Sequence, residues 1–183
     1  MRRLAPAAAL ILAACTAEAP PATADAACFG TRVLPYRDLV AEVIIPSGES
    51  CGSGSFQVVF TRGADTLETL SETRNGIVGF IGTADVDGDG RGEFIIATHT
   101  DDSSRTGTLY GYTEGAAGIA RFPIAELAAD QREGYVGQDR FGFGGADQFV
   151  RAYPRGSAGD TAWFAYSHGE TRWTPIERPT WVR

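Results

Sequence analysis

Acidic residues alternate along one Gly-rich segment, Asp85-Val86-Asp87-Gly88-Asp89-Gly90-Arg91-Gly92-Glu93. Ca²⁺ takes six to eight oxygen ligands at about 2.3 to 2.6 Å, and alternate carboxylates on a curled chain converge on one such cation. Glycine permits this curling, and it also lets a backbone carbonyl join the ligands. The spacing therefore predicts a structural Ca²⁺ site whose ligands are Asp85, Asp87, Asp89, the Arg91 carbonyl and Glu93.

The residues after this segment exclude an EF-hand. An EF-hand loop carries a bidentate Glu at its twelfth position, whereas that position here is Ile96, within the apolar run Phe94 to Ala97. A loop that leads into a buried strand resembles the calcium loop of FG-GAP and VCBS repeats, in which the ninth-position acid is a ligand. An ion-free acidic turn, in which Asp side chains bond backbone amides, explains the same residues and stays open.

The rest of the chain offers little catalytic chemistry. His99 and His168 have no metal-ligand spacing, and the chain has neither a phosphate-binding Gly loop nor a nucleophile elbow. Distances between carboxylates are not readable from sequence, so an acid/base pair stays open. We therefore expect a binding protein rather than an enzyme.

The elements that must position the acidic loop are short β-rich runs separated by clusters of Gly, Asp, Asn and Pro. This spacing predicts an all-β fold, an antiparallel β-sandwich of about 8–10 strands. One segment, Ile124 to Arg132, has helical composition after Pro123 and predicts a short helix. The predicted strands are Leu39 to Ile45, Phe56 to Thr61, Thr66 to Ser71, Ile77 to Ala84, Glu93 to Thr98, Thr108 to Thr113, Tyr135 to Phe143, Gln148 to Tyr153, Ala162 to His168 and Arg172 to Ile176.

The amino end has the order of a secretory signal: two arginines precede the apolar run Leu4 to Ala14. Residues 12 to 15, Leu-Ala-Ala-Cys, resemble a lipobox, which implies cleavage before Cys15 and lipid, including palmitate, on that cysteine. Thr16 after the cysteine resembles the outer-membrane sorting pattern, so we expect an envelope protein anchored in the outer membrane and facing the periplasm. A buried helix is disfavoured because Pro20 and Pro21 follow at once.

This interpretation divides the chain into three parts. We expect a signal peptide over residues 1–14, a flexible tether rich in Ala, Pro and Thr over 15–27, and a single domain over 28–183. With Cys15 lipidated, Cys28 and Cys51 remain as an even pair in an oxidising compartment, and we expect them to be bridged. Two buried free thiols are the alternative.

The net charge of the chain restricts the kinds of partner that it can bind. Without Arg2 and Arg3 the chain has 14 Arg against 23 acidic residues, a net charge of −9. Such a chain repels nucleic acid phosphates and attracts a basic partner. Solubility alone would also explain the acidic surplus. Oligomeric state is not readable from the sequence.

The order of features from Gly48 to Thr174 resembles the periplasmic inhibitors of I-type lysozyme, the PliI-like lipoproteins. The matching pieces are Gly54 to Phe60, the acidic loop with its strand to Ala97, a Gly/Ser/Thr-rich loop ending in Tyr110, Tyr135 to Phe141, and Arg151 to Pro154. Such inhibitors, and the related MliC group, insert a Ser-Gly-x-x-Tyr loop into the enzyme's cleft. The nearest match here is Thr106-Gly107-Thr108-Leu109-Tyr110, because no Tyr follows Ser53-Gly54 at the required distance.

Two functions follow. The resemblance implies a lipid-anchored inhibitor of a basic lysozyme that uses Thr106, Gly107 and Tyr110. The alternative is a calcium-stabilised recognition or structural lipoprotein without inhibitory activity. A projecting loop from Thr106 to Tyr110 would favour the inhibitor, whereas burial of Tyr110 in the sheet would favour the alternative.

Overall fold

The computed structural model describes residues 28–144, 148–156, 160–167 and 169–180. Twelve β-strands form in these residues, and every strand pairing is antiparallel. The predicted signal peptide, Cys15 and the tether lie outside the described residues. No helix in the described part of the chain is long and apolar enough to cross a membrane.

The strands form three four-stranded sheets. The first sheet contains β1 (Gly30–Tyr36), β2 (Leu39–Ile45), β3 (Ser53–Arg62) and β4 (Asp65–Asn75), in that order. The central sheet contains β5 (Ile77–Ala84), β6 (Glu93–His99), β7 (Gly107–Gly115) and β8 (Gly118–Phe122). The third sheet contains β9 (Arg140–Phe143), β10 (Phe149–Arg155), β11 (Asp160–Tyr166) and β12 (Thr174–Pro175). The prediction of an all-β antiparallel sandwich is confirmed.

Both faces of the central sheet are covered. On one face, Phe94 and Ile96 of β6 share a core with β2 and β3 of the first sheet. On the other face, Ile95 packs in a second core with large aromatic residues of the third sheet, including Phe149, and with Trp173 just before β12. Every residue of β6 is buried, which explains why the middle of this strand, Phe94 to Ala97, is a continuous apolar run instead of an alternating one.

The predicted helix over Ile124 to Arg132 is wrong, because this segment is extended chain followed by turns. One backbone hydrogen bond of helical spacing forms in it, from Arg132 N–H to the Ala128 carbonyl at 3.0 Å, while other backbone groups of the segment bond to side chains. The Trp173 Nε1 donates to the Ala125 carbonyl at 2.7 Å, and the Ala128 N–H donates to Gln131 Oε1 at 3.0 Å. Leu127 is thereby buried in the second core.

A disulfide joins Cys28 to Cys51, which confirms the predicted pairing. The turn that carries Cys51 is held by the buried Arg74 guanidinium, which donates to the carbonyls of Ser50, Cys51 and Gly76 at 2.7 to 2.8 Å. The bridge therefore fixes the chain just before β1 to the turn between β2 and β3. Closing a loop of this size stabilises the fold by about 3 kcal/mol in the chain-entropy view.

Candidate functional site

The acidic loop connects β5 to β6 and is closed by the pairing of Ala84 with Glu93. Carboxylate oxygens of Asp85, Asp87 and Asp89 all lie within 4.8 Å of one another. The chain curls because its own amides bond these side chains: Gly90 N–H donates to Asp85 Oδ2 at 2.9 Å, and Asp89 N–H donates to Asp87 Oδ1 at 3.0 Å. Gly88 has φ of +75°, a conformation that glycine adopts without strain.

One oxygen of this cluster is buried without a donor. Within the described residues, Asp85 Oδ1 has no hydrogen-bond partner. Burying a carboxylate oxygen removes its hydrogen bonds to water, and this costs free energy when no other partner replaces them. A bound cation would supply that partner, so the arrangement favours a cation. The three aspartates therefore form a possible metal site, and their all-oxygen donor set fits a hard cation.

Glu93 and Arg91 have other contacts in the same loop. The Glu93 side chain is buried, and its oxygens accept from Val86 N–H at 2.8 Å and from Thr113 Oγ1 at 2.9 Å. The Arg91 guanidinium donates to the Glu114 carbonyl at 3.0 Å. Both residues thus tie the loop to β7 and lie outside the three-carboxylate cluster, and their roles as metal ligands stay predictions.

A second acidic loop, Thr100 to Thr106, connects β6 to β7 at the other end of β6. The Oδ1 atom of Asp102 accepts hydrogen bonds from Thr100 Oγ1, from both N–H and Oγ of Ser104, and from Arg105 N–H. These hydrogen bonds, chiefly those from the Ser104 and Thr100 hydroxyls, lower the pKa of Asp102. The loop is therefore organised around an ionised carboxylate, one oxygen of which accepts from four of the loop's own donors.

Asp139 anchors this loop to the third sheet. Its carboxylate forms a buried bidentate ion pair with Arg151 of β10, at 2.7 and 3.0 Å, and accepts from Tyr135 Oη. The same carboxylate accepts from Gly107 N–H at 2.7 Å, where β7 begins. The Asp139 carbonyl lies 2.9 Å from His99 Nε2, so both ends of the loop are held by one residue.

A further contact fixes the middle of the loop. The N–H of Gln138 donates to the Ser104 carbonyl, and the Gln138 side chain donates to the Ser103 carbonyl. Gly137 allows this approach, since a Cβ at that position would lie 2.0 Å from the Ser104 oxygen. Gly137 and Gln138 both have positive φ, which explains why the strand predicted from Tyr135 begins only at Arg140.

The three residues of the predicted inhibitory motif occupy different surroundings. Thr106 ends the loop, with its hydroxyl 3.1 Å from Ser104 Oγ, and Gly107 begins β7. Tyr110 lies within β7, where its ring makes an edge contact with Phe56 at 5.0 Å and its hydroxyl donates to the Thr73 carbonyl at 2.9 Å. Burial raises the pKa of Tyr110. Tyr110 therefore belongs to the wall between two sheets and is not part of the loop's tip.

The sequence did not single out Asp102, Asp139 or Arg151 as site residues, although they determine the loop's shape. A signal for Asp102 existed, since Asp followed by Ser-Ser predicts local side-chain to backbone bonds. Nothing in the sequence pairs Asp139 with Arg151, because ion pairs between distant segments leave no local pattern.

No protein-family profile matches the chain, and no curated protein matches it. Among solved structures, the chain is similar to PliI from Aeromonas hydrophila, the periplasmic lysozyme inhibitor of I-type lysozyme, with 22% identity and a TM-score of 0.46 over 59% of this chain and 95% of that one. It is also similar to PliI in a crystal structure with Meretrix lusoria lysozyme, with 23% identity and a TM-score of 0.45 over 51% of this chain and 80% of that one.

Proposed function

We propose that this chain is a lipid-anchored envelope binding domain that inserts the Thr100 to Thr106 loop into the cleft of a basic lysozyme. The observation that carries the proposal is the anchoring of this loop by Asp102 from within and by Asp139, which is ion-paired with Arg151 of the third sheet. A loop held in its bound shape before contact loses less conformational freedom on binding, so more of the contact energy appears as affinity.

The chemistry of the loop's surface suits a glycosidase cleft. Such clefts contain a pair of carboxyl groups beside the scissile bond. Ser103 and Arg105 of the loop are exposed residues, and a hydroxyl and a guanidinium are hydrogen-bond donors to carboxylates. The acidic charge of the whole chain attracts a basic enzyme over a longer range and raises the association rate.

The assay is lysis of a peptidoglycan suspension by several lysozyme types, with the mature chain carrying Cys15→Ser titrated in. We expect inhibition of at least one type, and Arg105→Glu should weaken it at least about tenfold, because losing a charge-assisted bond costs about 1.5 kcal/mol or more. Arg172→Glu is the matched control, because it makes the same charge change at an exposed arginine that pairs with Asp130 and lies outside the Thr100 to Thr106 loop. Absence of inhibition of every type at micromolar concentration would retire the proposal.

A second candidate is a calcium-stabilised recognition or structural lipoprotein without inhibitory activity. The observation that favours it is the placement of Tyr110, whose hydroxyl and ring are both engaged inside the molecule. In this candidate, Ca²⁺ binds Asp85, Asp87 and Asp89, with the Arg91 carbonyl and Glu93 as further ligands, and stabilises the turn between β5 and β6. The lysis assay separates the two candidates directly.

Anchoring is tested separately from binding. We propose that lipid on Cys15 holds the domain at the outer membrane. Metabolic labelling with palmitate should mark the natural chain, whereas Cys15→Ala should lose the label, because only a thiol at that position can accept the diacylglycerol. Equal labelling of the variant would contradict the lipobox interpretation.

A further inference from the structure

The segment Tyr135 to Gln138 lies against the Thr100 to Thr106 loop on the side of the third sheet. The Gln138 N–H donates to the Ser104 carbonyl. The backbone of Gly137 approaches the same carbonyl so closely that no side chain would fit between them. A partner whose cleft surrounds the loop would therefore also meet this segment.

Val136 projects from this segment into solvent. It is 51% exposed, and few large apolar side chains among the described residues are as open. Its two neighbours are fixed, because the Tyr135 N–H donates to the Arg132 carbonyl at 2.9 Å and Gly137 packs on the loop. An apolar side chain on a fixed backbone loses little conformational freedom on binding. Val136 is therefore suited to anchor a partner.

The flank of the loop on the side of the first sheet carries an acidic side chain, Asp101. Its Cβ and Oδ2 atoms lie 3.4 and 3.5 Å from the position that a Cβ of Gly52 would take, so it leans on the turn between β2 and β3. That turn is itself held, because the Gly52 carbonyl accepts from Gly76 N–H at 2.8 Å. Asp101 is exposed, and no arginine in the described part of the chain forms an ion pair with it.

We infer, resting on the proposed function, that Val136 and Asp101 extend the loop into one lysozyme-binding interface with two unlike flanks. Beside its cleft, the lysozyme presents apolar surface to Val136 and a basic side chain to Asp101. Removing apolar surface from water adds affinity, whereas a charge at the rim of an interface mainly changes the association rate and its dependence on salt. The two flanks therefore have effects that are measured separately.

The apolar flank is tested by Val136→Asn in the lysis assay, with the mature chain carrying Cys15→Ser as the reference. A side-chain amide pressed against apolar surface loses its hydrogen bonds to water, so inhibition should weaken about tenfold. Val33→Asn is the matched control, because Val33 is 54% exposed but lies in β1, outside both flanks, and it should leave inhibition unchanged. Thermal melting checks that each variant is folded at the assay temperature.

The acidic flank is tested by association rates with the inhibited lysozyme at low and high salt. Asp101→Asn should slow association about threefold at low salt and reduce its salt dependence, with little change in dissociation. Asp65→Asn is the matched control. It removes the same charge from an exposed aspartate at the start of β4 that forms no ion pair within the described residues, and it should slow association less.

Undiminished inhibition by Val136→Asn would overturn the inference and leave the proposed function standing. Equal association rates for the Asp101→Asn and Asp65→Asn chains would do the same. If the reference chain inhibits no lysozyme, the proposed function and the inference fail together, so the two kinds of failure are distinguishable.

Discussion

The two loops at the ends of β6 are both rich in aspartate, yet they are built in opposite ways. In the loop before β6, Asp85 Oδ1 is buried and has no donor among the described residues. In the loop after β6, Asp102 Oδ1 accepts from two hydroxyls and two backbone amides. The first loop thus leaves one buried carboxylate oxygen without a donor, whereas Asp102 Oδ1 in the second loop has four. Acid content alone therefore does not distinguish the two loops, but the hydrogen bonds of their carboxylate oxygens do.

The largest expected effect concerns the anchor of the second loop. Arg151→Leu leaves the buried Asp139 carboxylate without its ion-pair partner, and we expect the free energy of unfolding in denaturant to fall by about 3–5 kcal/mol. The control Arg172→Ala breaks an exposed pair and should cost about 1 kcal/mol or less. Equal losses in the two variants would show that the Arg151–Asp139 pair stabilises the fold no more than an exposed ion pair does.

The next effect separates the loops by their response to calcium. Free Ca²⁺ at one hundred times its dissociation constant should raise the free energy of unfolding by about 2.7 kcal/mol, because only the folded chain gathers the ligands. Asp87→Ala should abolish this gain, whereas Asp102→Ala should keep it. Thermal melting with Ca²⁺, with Mg²⁺ and with a chelator measures the effect. Unchanged melting curves would show that the first loop is an ion-free turn.

A smaller loss of stability is expected at the second loop when the pH is lowered mildly. Burial lowers the pKa of His99 below its usual value of 6.5, so the unfolded chain binds a proton that the folded chain does not. The stabilisation is complete above about pH 6.5 and is lost as the pH falls toward the lowered pKa. Nearby charges from Asp139, Arg105 and Arg151 act on the same ring. His99→Phe should flatten the decline in melting temperature between about pH 7 and 5.

The smallest effect comes from Asp102 itself, which is exposed. Hydrogen bonds from Ser104 and Thr100 lower its pKa below 3.8, so its contribution is present above that value and is lost as the pH falls through the folded pKa. Asp102→Asn should be less stable than the natural chain at neutral pH, and the difference should vanish in strong acid. A difference that persists there would mean that the charge is not what organises the loop.

Most of the sheet could be predicted from local patterns. The bounds of β2 and β5 were predicted correctly. In β2 every second residue is a buried apolar one, a pattern that specifies a half-buried strand without help from the rest of the fold. β1 and β8 were missed. In β8, Gly118 to Phe122, only Phe122 is fully buried, so the sequence has little alternation to detect.

The sequence by itself determined the strand content, the paired cysteines and the alternating carboxylates of the first loop, since each depends on residues close together in the chain or on simple counting. Only the tertiary structure decided that β6 is covered on both faces, that Ile124 to Arg132 is extended under Trp173, and that Tyr110 lies in a wall between sheets. It also decided the pairing of Asp139 with Arg151. These features depend on contacts between distant segments, whose energies are set by burial and geometry and not by neighbouring residues.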